Sequence, residues 1–398
     1  MAKIHLWQEE TKIINNLVHV STTIEMSNQS QVNLWYRFSL KYQEEINTTC
    51  DSFVIATILL AMSQGCDLIV HGQVSPSLLD NLDEFQDAWC CYPLQKYTKI
   101  MVQADTEKEL EKPLGQPKAI SAFSGGLDSC FTAFRHSKDV HRRKKYNLLA
   151  GLMVHGLDIP ISQEDVFTRA LKKSIIITNS LGIELIEMAT NFRQVIKLDW
   201  EDVFNTTVAS CLHFFSKGYT QGIIPASTYY TKMVLPSAFD PITDSFLSSK
   251  SLEIINDGSA FTRLQKTEKI LNWQEITENL RVCWQGENKD QNCGKCEKCI
   301  RTILTFRALN YGLPCCFEKD VTDQQILNLK LRGLEIGVME SLINQIQARD
   351  KSLLSQSWVK ALQKSIKRNR ILEYIKKNTP LEIKNNLKKI KNAWKQKL

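Results

Sequence analysis

The chain has 398 residues, of which 43% are apolar and 23% are charged, and its formal net charge is +7. This length is enough for two or three domains. No apolar run approaches the roughly 20 residues that a membrane-spanning helix needs, and the first residues lack the basic region and apolar core of a signal peptide. We therefore expect a cytoplasmic protein whose 12 cysteines serve metal binding, catalysis or packing rather than disulfides.

Residues 1–112 predict a small N-terminal α/β domain. The predicted elements are strands at 17–24, 34–40, 67–72 and 99–102 and helices at 53–62 and 78–88. The stretch 105–117 is polar and rich in Glu, Lys and Pro, and it predicts a linker into the next domain.

Residues 118–310 predict a second domain in which strands and helices alternate. The predicted strands are 119–123, 148–155, 183–189 and 222–228, and the predicted helices include 165–181 and 201–215. Repeated β–α units favour an α/β fold with a doubly wound parallel sheet, in which ligands bind beyond the carboxyl ends of the strands. From about residue 320 to 398, the sequence predicts a helical, basic C-terminal region.

Most of the positive charge belongs to that C-terminal region. Between Lys351 and Leu398 there are 14 Lys and Arg residues against two Glu residues. Positive charge alone supports a weak, salt-sensitive and sequence-blind contact with nucleic acid, although few aromatic residues lie nearby to stack on bases. We favour the interpretation that these Lys and Arg residues form the solvated face of a basic helix.

The strongest functional signal is the sequence Ser-Gly-Gly-Leu-Asp-Ser at residues 124–129, between the predicted strand 119–123 and a helix. Glycines let the backbone approach an anion closely, and the following helix N-terminus supplies N–H donors and a favourable dipole. The segment therefore predicts a phosphate-binding loop. It lacks the lysine of the G-x-x-x-x-G-K-[ST] loop and is shorter.

The second signal is the spacing Cys283-x9-Cys293-x2-Cys296-x2-Cys299. Four closely spaced thiolates can complete a tetrahedral zinc shell, and a shell without an open position predicts a structural metal. Iron–sulfur ligation uses comparable spacing, and a redox or metal-free role is the remaining alternative.

A pair of cationic residues lies between the loop and the cysteines in the same predicted domain. Arg263 and Lys266 are about one helical turn apart and would face the same way, where they can stabilise charge on a pyrophosphate or an acyl-adenylate. The alternative is an N-capped, solvated helix start. Asp244 and Asp257 are candidate metal or substrate contacts.

The loop resembles the SGG-x-DS loop of the PP-loop ATP pyrophosphatases, the adenine-nucleotide α-hydrolase-like family. A PP-loop followed about 150 residues later by Cys-x9-Cys-Gly-x-Cys-x2-Cys is similar to the 7-cyano-7-deazaguanine synthase branch, and Arg301 fits that pattern too. The resemblance covers about residues 118–310. It implies an enzyme with ATP, Mg²⁺ and Zn²⁺ that adenylates a carboxyl or carbonyl oxygen of a deazaguanine- or purine-like substrate. AMP and pyrophosphate leave, and nitrogen transfer gives an amide or nitrile.

The resemblance implies roles for individual residues. Asp128 would orient the loop or help to position Mg²⁺ and also cap the helix, and it joins Arg263 and Lys266 in the expected catalytic set. His155 and Gly156 would lie near the adenine or the substrate, although a histidine at a strand end is as often structural. The expected nucleotide-binding residues are Ser124, Gly125, Gly126, Asp128, Ser129, His155, Gly156, Pro225, Ala226 and Ser227.

The N-terminal region lies outside the resemblance and suggests a changed substrate or partner. One alternative is sulfur transfer to a purine, a small molecule or a tRNA, with Cys130 as a candidate thiol because a helix N-terminus lowers a thiol pKa. Cys90 and Cys91 are weaker candidates for a sulfur relay. Another alternative is a protein-modifying enzyme whose N-terminal domain docks a partner protein. Separately, we consider that the chain assembles as a homodimer.

Overall fold

The computed structural model describes residues 2–92, 96–138, 143–232 and 241–378. The chain divides into two compact units. The first contains Met1–Cys293 and Pro314–Phe317, and the second contains Gly294–Leu313 and Glu318–Leu398. Within the described ranges, no helix is both long enough and apolar enough to cross a membrane.

The described strands of the first unit form one 11-stranded sheet. They are β1 (Lys3–Gln8), β2 (Lys12–Ile14), β3 (Leu17–Glu25), β4 (Gln31–Ser39), β5 (Asp67–Val74), β6 (Val102–Glu107), β7 (Ala119–Ala122), β8 (Leu148–His155), β9 (Glu184–Thr190), β10 (Gln221–Pro225) and β11 (Glu253–Asp257). The strand order is β11-β10-β7-β8-β9-β4-β3-β1-β5-β6, and β2 pairs with β3 off this path.

Most neighbouring strands in this sheet are parallel. The five strands from β11 to β9 pair in parallel, as do β1, β5 and β6. Strand β3 is antiparallel to β1, β2 and β4, and β4 is antiparallel to β9. The expected α/β class with a large, mostly parallel sheet is confirmed.

Strands β4 and β9 join the two predicted domains into this single sheet. Tyr36 pairs with Thr190 and Phe38 pairs with Met188. The division of the chain at residues 112–118 and 310–320 stays a prediction. Strand β6 extends through Glu107, which pairs with Val74 of β5, into the stretch 105–117 that we expected to be a linker. Its polar sequence is compatible with a strand because this edge strand leaves most of its side chains exposed.

The helices of the first unit alternate with the strands. They are α1 (Asp51–Gln64), α2 (Pro76–Cys91), α3 (Leu127–Ser137), α4 (Glu164–Ser180), α5 (Phe192–Val195), α6 (Trp200–His213), α7 (Arg263–Ile270) and α8 (Gln274–Asn279). Short 3₁₀ helices span Leu40–Glu45, Tyr230–Lys232 and Thr243–Leu247. Helix α1 is buried from Asp51 to Met62, which matches its nearly continuous apolar sequence.

An aromatic cluster packs α1 and α6 against the sheet. The Tyr36 ring on β4 lies 5.8 Å from the Phe53 ring on α1 and 4.5 Å from the Phe214 ring at the end of α6. Tilted and edge-on rings of this kind bury large apolar areas and add favourable quadrupole contacts. This packing holds α1 and α6 against the sheet.

The second unit is helical, as the sequence predicts. Its described elements are α9 (Glu297–Ala308), α10 (Asp323–Leu327), α11 (Leu334–Arg349), a 3₁₀ helix (Lys351–Ser355) and α12 (Ser357–Asn378). Asn369 is buried on α12, where its side chain accepts from the Leu331 N–H at 3.1 Å and donates to the Leu329 carbonyl at 2.8 Å. The lysines from Lys384 to Lys397 lie outside the described residues.

Candidate functional site

The predicted nucleotide-binding residues follow strands that end at one edge of the sheet. Residues 124–129 come after β7, His155 ends β8 and Pro225 ends β10. Because β7, β8 and β10 run parallel, their carboxyl ends share an edge. The topology therefore brings these segments to the side of the sheet where α/β proteins bind ligands.

The loop after β7 combines two glycines with two serines. Gly125 has φ +71°, and a Cβ there would lie 2.9 Å from the Ser174 hydroxyl. Gly126 is the N-cap of α3, and no side chain caps this helix. The expected capping role of Asp128 is therefore wrong, because this residue lies within the first turn of the helix. The Ser129 hydroxyl donates to the Gly126 carbonyl at 3.0 Å, and the Gly126 N–H donates to the Ser124 hydroxyl at 3.3 Å. This compact turn presents an uncapped helix N-terminus, which suits an anion.

Asp128, Arg263 and Lys266 come together beside this loop. Lys266 Nζ lies 2.8 Å from Asp128 Oδ1 and also donates to the Ala226 carbonyl. Arg263 Nη1 lies 3.7 Å from Asp128 Oδ2. The carboxylate in the first turn of α3 is therefore paired with two cations from α7.

The start of α7 explains how a lysine reaches this position. Thr262 and Gln265 form a capping box, so the N-capped start that we considered is present. The helix start is nevertheless not a solvated one, since Lys266 is only 2% exposed. Burying an ammonium group requires an opposite charge and hydrogen-bond acceptors, and Asp128 and Ala226 supply them.

Arg281 is a residue of the loop region that the sequence analysis missed. Its guanidinium donates to the Ser124 carbonyl at 2.9 Å, and its backbone N–H donates to the Gly125 carbonyl at 2.8 Å. Asp158 Oδ2 lies 3.7 Å from Arg281 Nη2. The available signal was a basic residue between Leu280 and Val282, two positions before the first cysteine of the cluster.

His155 has structural partners. Its Nε2 lies 2.9 Å from the Pro160 carbonyl, and its ring stacks on Phe167 at 4.4 Å. Burial lowers the pKa of His155 below its ordinary value, so the neutral form is favoured. Gly156 has φ +102°, and a Cβ there would lie 1.9 Å from the Thr190 carbonyl oxygen. This glycine is needed for the turn after β8.

The segment after β10 contacts α7 through its backbone. The Ala226 N–H donates to the Asp257 carbonyl at 2.8 Å, and the Ala226 carbonyl accepts from Lys266. Pro225 is half-buried and Ser227 is exposed. Of these three predicted residues, Ala226 is the one whose carbonyl bonds Lys266, the partner of Asp128.

Asp257 anchors α3, the helix that follows the loop. Its carboxylate accepts from Arg135 Nη1 at 2.5 Å and from the Thr132 hydroxyl at 2.9 Å, and His136 Nε2 lies 3.3 Å away. Burial opposes ionisation, but hydrogen bonding and charge from His136, with the Arg135 charge, hold the pKa of Asp257 below its ordinary value. This carboxylate is engaged by the fold.

Asp244 is engaged in the same way. It accepts from Asn205 Nδ2 at 2.5 Å and from Asn256 Nδ2 at 2.7 Å. It is 2% exposed. A buried carboxylate with two amide donors is a structural bridge between α6 and β11, and its contacts differ from those of a substrate-facing acid.

Cys130 is fully buried on α3. Burial, with the nearby Asp128 carboxylate, raises the pKa of this thiol well above its ordinary value. The direction is opposite to the lowering that we expected from the helix N-terminus, because burial disfavours the thiolate. Cys90 and Cys91 are exposed.

The four predicted metal ligands form a cluster. The Sγ atoms of Cys283, Cys293, Cys296 and Cys299 lie within 4.8 Å of one another. Tetrahedral zinc with Zn–S bonds of about 2.3 Å separates its sulfurs by about 3.8 Å, so this donor set fits the ion. Gly294, at φ +66°, turns the chain after Cys293, and Cys296 is the N-cap of α9.

No family model, curated protein or solved structure matches the chain. The family resemblance therefore depends on the loop, the cysteine spacing and their order along the sequence. The geometry above is independent of that resemblance, because it follows from the contacts of the described residues.

Proposed function

We propose that this protein is a PP-loop enzyme that binds ATP at residues 124–129 and forms AMP. In this proposal, a carboxyl or carbonyl oxygen of a deazaguanine- or purine-like substrate attacks the α-phosphorus of ATP. The bond to the bridging oxygen breaks, and pyrophosphate leaves. With a carboxylate substrate, ammonia then attacks the activated carbon, AMP leaves with the oxygen, and a proton is lost to give an amide. A second ATP activates the amide oxygen in the same way, and loss of AMP and of the protons on nitrogen gives the nitrile.

The observation that carries this proposal is the convergence of Lys266 and Arg263 on Asp128 in the first turn of α3. A glycine-rich turn alone is a weak indicator of nucleotide binding. A turn joined to two cations from a distant helix supports binding of a polyanion, since positioned charges stabilise developing negative charge in a water-poor site.

Each residue of the cluster has a distinct role in this proposal. The loop and the N-terminus of α3 bind the β,γ-pyrophosphate. Lys266 and Arg263 stabilise the pyrophosphate as it leaves, and Asp128 keeps both cations in place. Asp128 would also hold Mg²⁺, which neutralises phosphate charge when it accompanies the nucleotide.

The four-cysteine cluster is proposed to hold structural Zn²⁺. Four thiolates leave no open coordination position for a substrate. The metal is therefore assigned to the stability of residues 280–299, and every reacting group is assigned to the loop and α7.

The test is an incubation of the protein with Mg²⁺-ATP and ammonium, with and without 7-carboxy-7-deazaguanine, followed by mass spectrometry of nucleotides and bases. AMP with an amide or nitrile supports the full proposal. If AMP forms only when a sulfur donor or a protein partner is present, sulfur transfer or protein modification replaces nitrogen transfer as the second step. ADP as the product contradicts the assignment of the loop.

A further inference from the structure

Arg281 binds both carbonyl groups of the first two loop residues. Its Nη2 donates to the Ser124 carbonyl at 2.9 Å, and its backbone N–H donates to the Gly125 carbonyl at 2.8 Å. Only 7% of this residue is exposed. These contacts come from a position 157 residues away from Ser124 in the chain.

These two bonds fix the direction of the loop amides. A trans peptide is planar, and its C=O and N–H groups point in opposite directions. Because the Arg281 guanidinium holds the Ser124 carbonyl, the Gly125 N–H points away from the guanidinium. The backbone N–H of Arg281 holds the Gly125 carbonyl, and the Gly126 N–H on the opposite side of that peptide donates to the Ser124 hydroxyl. Backbone N–H groups of a glycine turn at a helix N-terminus can line an anion-binding concavity.

The guanidinium is itself held on its other side. Arg281 Nη1 donates to the Lys289 carbonyl at 3.3 Å, and Asp158 Oδ2 lies 3.7 Å from Nη2. Lys289 belongs to the segment between the first and second cysteines of the cluster. The side chain therefore spans from the cysteine segment to the nucleotide loop.

The backbone around Arg281 is fixed by Asn292, which precedes the ligand Cys293. Asn292 Oδ1 accepts from the Val282 N–H at 2.9 Å and from the Cys283 N–H at 3.3 Å. Its Nδ2 donates to the Leu280 carbonyl at 2.7 Å. Residues next to two of the four cysteines thus determine where the backbone of Arg281 lies.

We propose that Arg281 is a positioning residue that couples the four-cysteine metal centre to the nucleotide loop. A bound metal orders Cys283 and Cys293, Asn292 transmits that order to residues 280–283, and Arg281 orients the loop amides toward an anion. Metal loss then weakens pyrophosphate binding without removing any group that touches the anion. This coupling deepens the proposed function and rests on it for the identity of the anion.

The chemistry of arginine is needed for this role. A planar guanidinium can bond two carbonyls and an acid at once, whereas a lysine ammonium is a point charge on a flexible stem. Arg281→Lys therefore keeps the charge and loses part of the geometry. Arg281→Gln removes both the positive charge and the planar set of donors.

The first test is hydrogen exchange of loop residues 122–130 in the nucleotide-free protein. We expect exchange to be at least about tenfold faster in Arg281→Gln, because the side-chain bond that holds the Ser124 carbonyl is lost while the backbone bond to Gly125 remains, and intermediate in Arg281→Lys. Arg169→Gln is the matched control, since Arg169 bonds Asp290 in the same cysteine segment and is half exposed. Wild-type exchange in both Arg281 variants would overturn the proposal.

The second test measures the coupling itself. Metal removal by a chelator should speed loop exchange in the wild type and have a smaller effect in Arg281→Gln, because the side-chain connection to the Ser124 carbonyl is already broken. Equal acceleration in both proteins, or none in the wild type, would overturn the coupling. Thermal unfolding in the presence of metal checks that each variant is folded. If Arg281→Gln does not fold, the same comparison is made with Arg281→Lys.

A calorimetric titration with inorganic pyrophosphate separates this inference from the proposed function. We expect wild-type affinity to fall about tenfold or more in Arg281→Gln and to be retained in Arg169→Gln. If the wild type binds no pyrophosphate while loop exchange still depends on Arg281 and on metal, the positioning role stands and the nucleotide assignment fails.

Discussion

Lys266 Nζ lies 2.8 Å from Asp128 Oδ1, although 138 residues separate the two in the chain. The pair joins α7 to the first turn of α3, and Lys266 is almost completely buried. An ammonium group is buried in this way only with an acid partner, and its position beside a glycine-rich turn puts a fixed positive charge at the loop. This relationship is the basis of the proposed nucleotide chemistry.

Replacement of this lysine tests its proposed role. Lys266→Met should lower AMP formation about 100-fold or more, because a preorganised charge that stabilises leaving pyrophosphate is lost. The matched control is Lys269→Met, which changes an exposed lysine on the same helix. Steady-state rates with Mg²⁺-ATP check the prediction, and undiminished turnover in a folded Lys266→Met protein would remove Lys266 from the mechanism.

The turn after β8 predicts a large effect on stability. Gly156→Ala would place a Cβ 1.9 Å from the Thr190 carbonyl oxygen at φ +102°. We expect a loss of at least about 3 kcal/mol in unfolding free energy, because both backbone strain and a steric clash are introduced. Urea unfolding monitored by circular dichroism measures this loss.

Gly65→Ala is the matched control for Gly156→Ala. Gly65 ends α1 at φ +60°, and no atom lies within 4 Å of its added Cβ. Backbone strain alone should cost about 1 to 2 kcal/mol there. Equal losses in the two variants would show that the contact with Thr190 does not matter.

The cysteine cluster predicts one bound metal ion per chain. Purified wild-type protein should contain one zinc by elemental analysis, and Cys283→Ser should lose it and melt at a lower temperature, since metal binding contributes directly to folding. Cys91→Ser changes an exposed cysteine outside the cluster and should keep the metal. Full zinc content in Cys283→Ser, or iron and sulfide in the wild type, would contradict the assignment.

Asp51 predicts a specific pH dependence of stability. Burial raises the pKa of this carboxyl from 3.8 to about 6, against the opposing hydrogen bonds from Ser75. Because the folded pKa lies above the unfolded value, the folded state takes up a proton more readily. The folded protein therefore gains stability as pH falls from above 6 toward 3.8, by up to about 3 kcal/mol from this group.

Asp51→Asn removes this titration. The stability of the wild type relative to the variant should increase as pH falls from 7 to 4, because only the wild type loses a buried charge over that range. Urea unfolding at several pH values measures the difference. A constant difference across the range would show that Asp51 is ionised and fully compensated in the folded protein.

Much of the fold was predictable from local pattern. The run of apolar residues in α1 and the strand–helix alternation after residue 118 specify their elements, because burial requires those periodicities. The Ser-Gly-Gly turn and the cysteine spacing likewise indicated anion and metal chemistry. These signals lie within short segments of the chain.

Long-range pairings could not be predicted in the same way. The antiparallel contact of β4 with β9 pairs Tyr36 with Thr190. No local sequence pattern shows that β4 pairs with β9 rather than with another strand. The contacts of Arg281 with Ser124 and of Asp257 with Arg135 also bring together segments more than 100 residues apart. Residue type suggested Asp257 as a ligand, and only the fold shows that its carboxylate is already engaged.

The most direct measurement is a calorimetric titration of the wild type and of Gly125→Ala with Mg²⁺-ATP and with pyrophosphate. Gly125 has φ +71° and a Ser174 hydroxyl 2.9 Å from its added Cβ, whereas Gly182 has φ +69° and open space around it. We predict that the wild type and Gly182→Ala bind both ligands, and that Gly125→Ala binds them at least about tenfold more weakly. Absence of binding to the wild type, or equal affinity in a folded Gly125→Ala protein, would contradict the assignment of the loop to nucleotide phosphates.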